Sequence, residues 1–318
     1  MKKKRILVVS YSQTGQLSRL VDSVCGPLRA ATGCEVVAER IAPQVPYPFP
    51  WPFLRFLDVF PESVYLDPPP MRPLSLAPDA DFDLVILAYQ VWFLSPSLPI
   101  TGFLTSSAGR RLLAGKPVIT LIACRNMWLT AQETVKRLLS QAGARLLDNV
   151  VLVDAAPALA TFITTPRWLL TGNPGRPSGL LPRAGVSDRD IAAARRFGDA
   201  IAAALRDDRE LGEGPLLAGL AACRVDDRLI LSERIGHRSF RIWGRLMRAL
   251  GPPGSRRRTP VLVLYALFLV TMIASVVPIT LILRRLAAPL LRPSLLRLKA
   301  YYELPSGSGD ERLPDTAR

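Results

Sequence analysis

Ile6-Leu7-Val8-Val9 followed by Tyr11-Ser12-Gln13-Thr14-Gly15-Gln16-Leu17 decides how this chain is read. A β-branched apolar run, a hydroxyl-rich turn with one glycine and a helical pattern from Gln16 predict a strand, an anion cradle and a helix. Backbone N–H groups at a helix start, the Ser12 and Thr14 hydroxyls and the helix dipole together suit a dianionic phosphate. The loop has neither the G-x-x-x-x-G-K-[ST] of a nucleoside-triphosphate site nor the G-x-G-x-x-G of a dinucleotide site, so a mononucleotide is the expected ligand. The same pattern also serves as a plain helix N-cap, and the rest of the chain has to decide between the two.

Leu17, Leu20, Val21, Val24 and Leu28 recur at helical spacing, Gly33 closes the helix, and Glu35 to Ile41 reads as a second strand. Asp83-Leu84-Val85-Ile86-Leu87-Ala88 is a nearly continuous apolar run, the pattern of a central parallel strand buried on both faces. It runs into Tyr89-Gln90-Val91-Trp92-Phe93-Leu94-Ser95-Pro96. A fourth strand, Lys116 to Ala123, ends at Cys124-Arg125-Asn126-Met127-Trp128, and Asn149 to Asp154 completes five. Ser187 caps a last helix with Ile191, Ala194, Phe197, Ile201 and Leu205 on one face, and the domain is expected to end near Asp208. This is an α/β pattern with a doubly wound parallel sheet of order 2-1-3-4-5. Such sheets bind ligands at the carboxyl ends of the strands where the winding reverses, between strands one and three.

Residues 43–78 interrupt the alternation with closely spaced prolines and interleaved aromatics: Tyr47, Phe49, Trp51, Phe53, Phe56, Phe60 and Tyr65. A disordered tract would be poor in aromatics. The segment is therefore either an aromatic cover packed on the domain or a lid over an apolar substrate.

The net charge is +15, and the larger share of it lies beyond Glu210. There, 209–259 reads as a basic juxtamembrane amphipathic region, with Ile242, Trp243, Leu246 and Met247 on one helical face and arginines on the other. The run from Val261 to Leu283 carries no charge and is bracketed by Arg256-Arg257-Arg258 and Arg284-Arg285. Length and flanks predict a single-pass C-terminal membrane anchor over 260–284. The excess of arginine upstream puts the N-terminal domain on the cytoplasmic side of the membrane. Residues 285–318 are expected to form an interfacial helix and a disordered tail. Basic charge beside an apolar segment points to membrane lipid as a partner and away from nucleic acid.

Four cysteines show no C-x-x-C spacing and read as reduced thiols. The lone His237 sits in the basic helix, so no Ser-His-Asp or Cys-His pair can be assembled, and no metal-ligand cluster is present in the sequence. With no nucleophile available, the hard chemical step falls to a cofactor.

Ser12-x-Thr14-Gly15-Gln16 at the end of a first strand resembles the FMN-phosphate loop of flavodoxin-like proteins. The usual pattern there is Ser/Thr-x-Thr-Gly-Asn-Thr, so Gln16 and Leu17 depart from it; Leu17 removes a hydroxyl and leaves the backbone donors. Gln90, Trp92, Phe93 and Leu94 resemble the flavin-contacting loop of flavodoxin-like quinone reductases, in which an aromatic pair packs on the isoalloxazine. Cys124, Arg125 and Asn126 stand on the same edge, where Arg125 and Asn126 either donate to the flavin carbonyls or stabilise its reduced anion, or else form a plain surface turn. Taken from its start to the neighbourhood of Leu205, the chain is similar to the flavodoxin-like proteins of dialkylresorcinol and aryl-polyene gene clusters, often labelled dialkylresorcinol condensing enzyme. Condensation of acyl thioesters uses a cysteine with histidine partners, and the chain up to Glu210 lacks that set. The resemblance therefore implies an FMN-dependent oxidoreductase that aromatises a lipophilic cyclohexane-1,3-dione made by a partner ketosynthase. Tyr89 and Arg125 are the candidate catalytic residues. A membrane-anchored NAD(P)H-dependent quinone reductase and a non-catalytic electron carrier are the competing readings.

Overall fold

The computed structural model describes residues 3–77, 79–176, 178–179 and 181–314, without the side chains of 276–291. Five strands, β1 (Lys4–Ser10), β2 (Cys34–Arg40), β3 (Leu84–Tyr89), β4 (Pro117–Cys124) and β5 (Arg145–Val153), pair in parallel in the order β2-β1-β3-β4-β5. This is the expected flavodoxin-like arrangement, with its winding reversal between β1 and β3. Ser10 is in register with both Arg40 and Ala88, so the turns after β1 and β3 leave the sheet side by side.

Alternation along the strands builds both cores. Ile6 and Val8 face α1 (Gln16–Ala30) and α9 (Arg195–Arg206), joined by the short α8 (Asp188–Ala193). Leu7 and Val9 face the opposite layer of α4 (Leu98–Thr105), α5 (Ser107–Leu113) and α6 (Leu129–Gln141). Gly198 is required where α9 meets α1, since a Cβ there would come within 2.0 Å of the Val24 carbonyl oxygen. Within 43–78 two short helices form, α2 (Phe53–Leu57) and α3 (Phe60–Tyr65), and α7 (Thr161–Thr171) follows β5.

The C-terminal third differs from expectation in three ways. First, the chain does not leave the domain at Asp208. Leu216, Leu217, Leu220 and Ala222 are buried in the α1/α9 core, and the buried Asp148 carboxylate accepts the N–H groups of Leu216 at 2.7 Å and Leu217 at 3.2 Å. Second, the segment from Pro305 to Pro314 is packed, which corrects the disordered tail; residues 315–318 lie outside the described residues. Ser306 Oγ donates to Asp148 at 2.8 Å and accepts from the Asn149 N–H at 2.7 Å, and Ala221 N–H donates to Gly309 O at 2.6 Å. The physical reason is the edge of β5, whose outward N–H groups would otherwise be bare. Ser306 covers that of Asn149, and the carbonyl of Ala222 that of Val151.

Third, α10 (Asp227–Ala249) and α11 (Thr259–Glu303) pack on the domain. Met247, Leu262 and Tyr265 join Leu57, Phe60 and Val64 in one apolar cluster, so residues 43–78 and the C-terminal helices form a single layer. Ile242 and Leu246, expected on the same face as Met247, are instead exposed. Among the described residues, Arg256–Ser275 is the one stretch of helix long and apolar enough, by length and composition, to cross a membrane.

Candidate flavin site at the carboxyl edge of the sheet

Three turns meet at the end of β1, β3 and β4. Gly15, in the left-handed region at φ 79°, stands at the N-cap of α1 and supplies no side chain to close the helix start. The Ser12 hydroxyl is buried and has no hydrogen-bond partner. Thr14 Oγ1 accepts from the Gln16 N–H at 3.4 Å. A buried donor without a partner beside uncapped helix N–H groups is what an anionic ligand completes, so Ser12, Thr14, Gly15 and the backbone of Gln16 and Leu17 fit a phosphate. The Leu17 side chain belongs to the core, and that of Gln16 is held elsewhere, accepting from Val186 N–H at 3.2 Å and donating to Val186 O at 3.3 Å.

The first two turns are tied by one bond, from Gln13 N–H to Gln90 Oε1 at 3.0 Å. Gln13 also donates from Nε2 to Pro48 O at 2.9 Å and accepts from Tyr11 Oη at 2.8 Å, which fixes the aromatic segment to the cradle. Val91–Trp92 and Ser95–Pro96 form a two-stranded antiparallel ribbon whose tip, Phe93 and Leu94, takes φ 49° and 60°. The paired role expected of Trp92 and Phe93 separates here. Trp92 is half-buried and meets Tyr11, Tyr47 and Trp51 edge-on at 5.1–6.0 Å between centroids. Phe93 packs instead on Phe56, Phe60 and Phe240, and Leu94 is buried.

Tyr89 is corrected. Its side chain is fully buried and its hydroxyl donates to Gln132 Oε1 at 2.6 Å, continuing through Thr120 to Asn149. Burial drives its pKa upward, and it cannot act as a base at the rim.

Arg125 does stand at the third turn. Its guanidinium lies 4.1 Å over the Phe162 ring and its Nε donates to Asn126 Oδ1 at 3.3 Å. Burial lowers its pKa to about 10, so it remains a cation at neutral pH. The Cys124 thiol is pushed up by burial, with Glu233 adding to the effect, and stays protonated.

Glu233, which the sequence pattern did not single out, holds this turn from below. It is buried, and its carboxylate accepts the N–H of Thr130 at 2.6 Å, with the N–H groups of Leu129 and Trp128 alongside, so α10 caps α6. Desolvation raises its pKa to about 6. An acid in the interior of an arginine-rich helix was the signal available. Thr164 and Thr165, on α7, likewise carry buried hydroxyls without partners.

Residues 43–78 close the edge. Trp51 N–H donates to Leu169 O of α7 at 2.8 Å, and Arg258 at the start of α11 pairs with Asp58 and Glu62. The aromatic segment is thus a packed cover over the turns after β1 and β3, latched at both ends.

No protein-family model matches the chain, and no curated protein matches it. Among solved structures, it is similar to a flavoprotein in complex with FMN from Lactobacillus acidophilus NCFM, at 12% identity over 47% of this chain and 93% of that one, with a TM-score of 0.38. A flavodoxin from the domain Archaea aligns at 10% identity over 64% of this chain and 99% of that one, TM-score 0.37. A protein described as flavone reductase aligns at 15% identity over 69% and 68%, TM-score 0.37. At such identities and scores, function has to be argued from the site.

Proposed function

We propose that this protein is an FMN-dependent oxidoreductase that aromatises a lipophilic cyclohexane-1,3-dione to a resorcinol. The observation that carries the flavin is the buried, partnerless Ser12 hydroxyl at an uncapped helix start, on the edge of the sheet where the winding reverses. The substrate class follows from the resemblance to dialkylresorcinol-cluster proteins and is supported by the aromatic cover, which surrounds the edge with apolar rings.

Ser12, Thr14 and the amides of Gly15, Gln16 and Leu17 would hold the phosphate, and Trp92 and Arg125 would flank the ring system. Bound there, FMN supplies an acceptor for the two electrons that leave when a cyclohexanedione becomes a resorcinol. The protein's own contribution is electrostatic. A 1,3-dione is a vinylogous acid that ionises readily, so the edge needs a fixed cation for its enolate more than a strong base. Arg125, charged at neutral pH and held by Asn126 and Phe162, fills that role. Tyr47, Trp51 and Trp92 keep water from the ring edge.

The test is anaerobic mixing of the flavin-loaded protein with a synthetic 2,5-dialkylcyclohexane-1,3-dione. Bleaching of the yellow flavin band with formation of the dialkylresorcinol is expected. An unbleached band removes the aromatase reading. Rapid bleaching by NAD(P)H alone would favour a quinone reductase.

A further inference from the structure

Beyond the flavin chemistry, and without relying on it, the C-terminal helices form a surface whose composition identifies what it meets. Leu264, Leu267 and Val270 on α11 are 55%, 62% and 65% exposed, Ile242 on the adjoining α10 is 72% exposed, and Phe53 on α2 is 50% exposed. The three helices pack on one another through the aromatic cluster. Arg238, Arg241, Arg245, Arg256 and Arg257 are exposed beside them. From Arg234 to Tyr302 the sequence holds no acidic residue at all. An aliphatic face with a rim of one sign complements a hydrocarbon layer lying under a plane of phosphates.

The packing of α11 sets how that layer is met. Its first turns are fixed to the domain by Arg258, Leu262 and Tyr265. Its last turns return to the same domain: Tyr301 Oη donates to Glu133 at 2.8 Å, Val225 N–H donates to Glu303 at 3.1 Å, and Ser306 follows onto Asp148. A single crossing would carry 295–314 to the far side of the bilayer and break all three. Crossing twice takes roughly 40 residues. The stretch 269–294 is too short for that; among the described residues it lies between Phe268, packed on the aromatic cluster, and Leu295, packed on the core.

We infer that the protein lies on an anionic bilayer through this face, in the plane of the membrane, with the domain and both ends of α11 on one side. This replaces the single-pass anchor expected from hydropathy and makes the aromatic cover, built from the same helices, the part of the domain nearest the lipid.

The full-length chain, without added flavin, is sedimented with phosphatidylcholine vesicles that contain or lack phosphatidylglycerol. Binding that needs phosphatidylglycerol and is lost in high salt is expected, weakened roughly fivefold for each of Arg241→Gln and Arg245→Gln. Leu264→Glu combined with Leu267→Glu, both exposed, should abolish binding and leave the near-UV circular dichroism unchanged. In membrane vesicles, cysteines placed at Glu213 and Pro314 should be labelled by an impermeant maleimide from the same side, measured against the parent chain. Labelling from opposite sides, indifference to phosphatidylglycerol, or full binding by the leucine variant would overturn the inference. A failed bleaching experiment would touch none of these readouts.

Discussion

The guanidinium of Arg258 reaches the carboxylate of Glu62 at 2.8 Å, joining the start of the C-terminal helix to the aromatic cover across 196 residues of chain. Asp58 lies against the same group at 3.2 Å and also accepts the Gly254 N–H at 2.5 Å. Arg258 is 1% exposed. Removing one member of a buried ion group leaves the others charged and dry, which costs about 3–5 kcal/mol.

Arg258→Met should therefore lower stability by roughly that amount in chemical denaturation and loosen the cover. Adding Asp58→Asn and Glu62→Leu should recover much of the loss. If Arg258→Met alone were neutral, the latch would be a surface pair in effect.

Ser12 Oγ has no partner in the protein, so Ser12→Ala removes nothing the fold uses. Thermal stability without flavin should hold or rise slightly, because an unsatisfied buried hydroxyl is gone. FMN affinity should fall by about tenfold, the size of one charge-assisted hydrogen bond. Fluorescence titration with FMN, which quenches on binding to many aromatic-lined sites, measures it.

Tyr89→Phe and Arg125→Met should separate structure from chemistry. Loss of the Tyr89 hydroxyl leaves Gln132 Oε1 short of a buried donor and should cost about 1–3 kcal/mol with turnover nearly unchanged. Loss of the Arg125 cation should lower the rate of flavin bleaching by at least about a hundredfold, the scale of one oxyanion donor, with a smaller effect on folding.

Glu233 gives stability a pH dependence of definite sign. Desolvation puts its pKa near 6 in the folded chain against 4.5 for the free group, so the native state binds more proton in that interval and stability from this group falls as pH rises through it. The loss is about 2 kcal/mol. Glu233→Gln should flatten the slope between pH 4.5 and 6 in denaturation experiments.

Much of this was legible in the sequence because it is local. Continuous apolar runs, helical spacing and one hydroxyl-rich turn specify β1 to β5, α1 and the cradle, and the topology rules for parallel sheets bring three turns to one edge. Residue chemistry alone also showed that charge is of one sign from Arg234 to Tyr302. Pairing between distant segments was beyond it. Tyr89 ends a buried strand, and only the position of Gln132 on α6 shows that its hydroxyl points inward. Phe93 adjoins Trp92 in the chain, yet a left-handed turn sends it into a cluster completed by Phe240, and no local pattern encodes that contact. The stretch Arg256–Ser275 at the start of α11 is long and apolar enough for a span. What turns it into a surface is the free edge of β5, whose N–H groups must be covered, and the tertiary structure covers them with the chain on either side of α10 and α11.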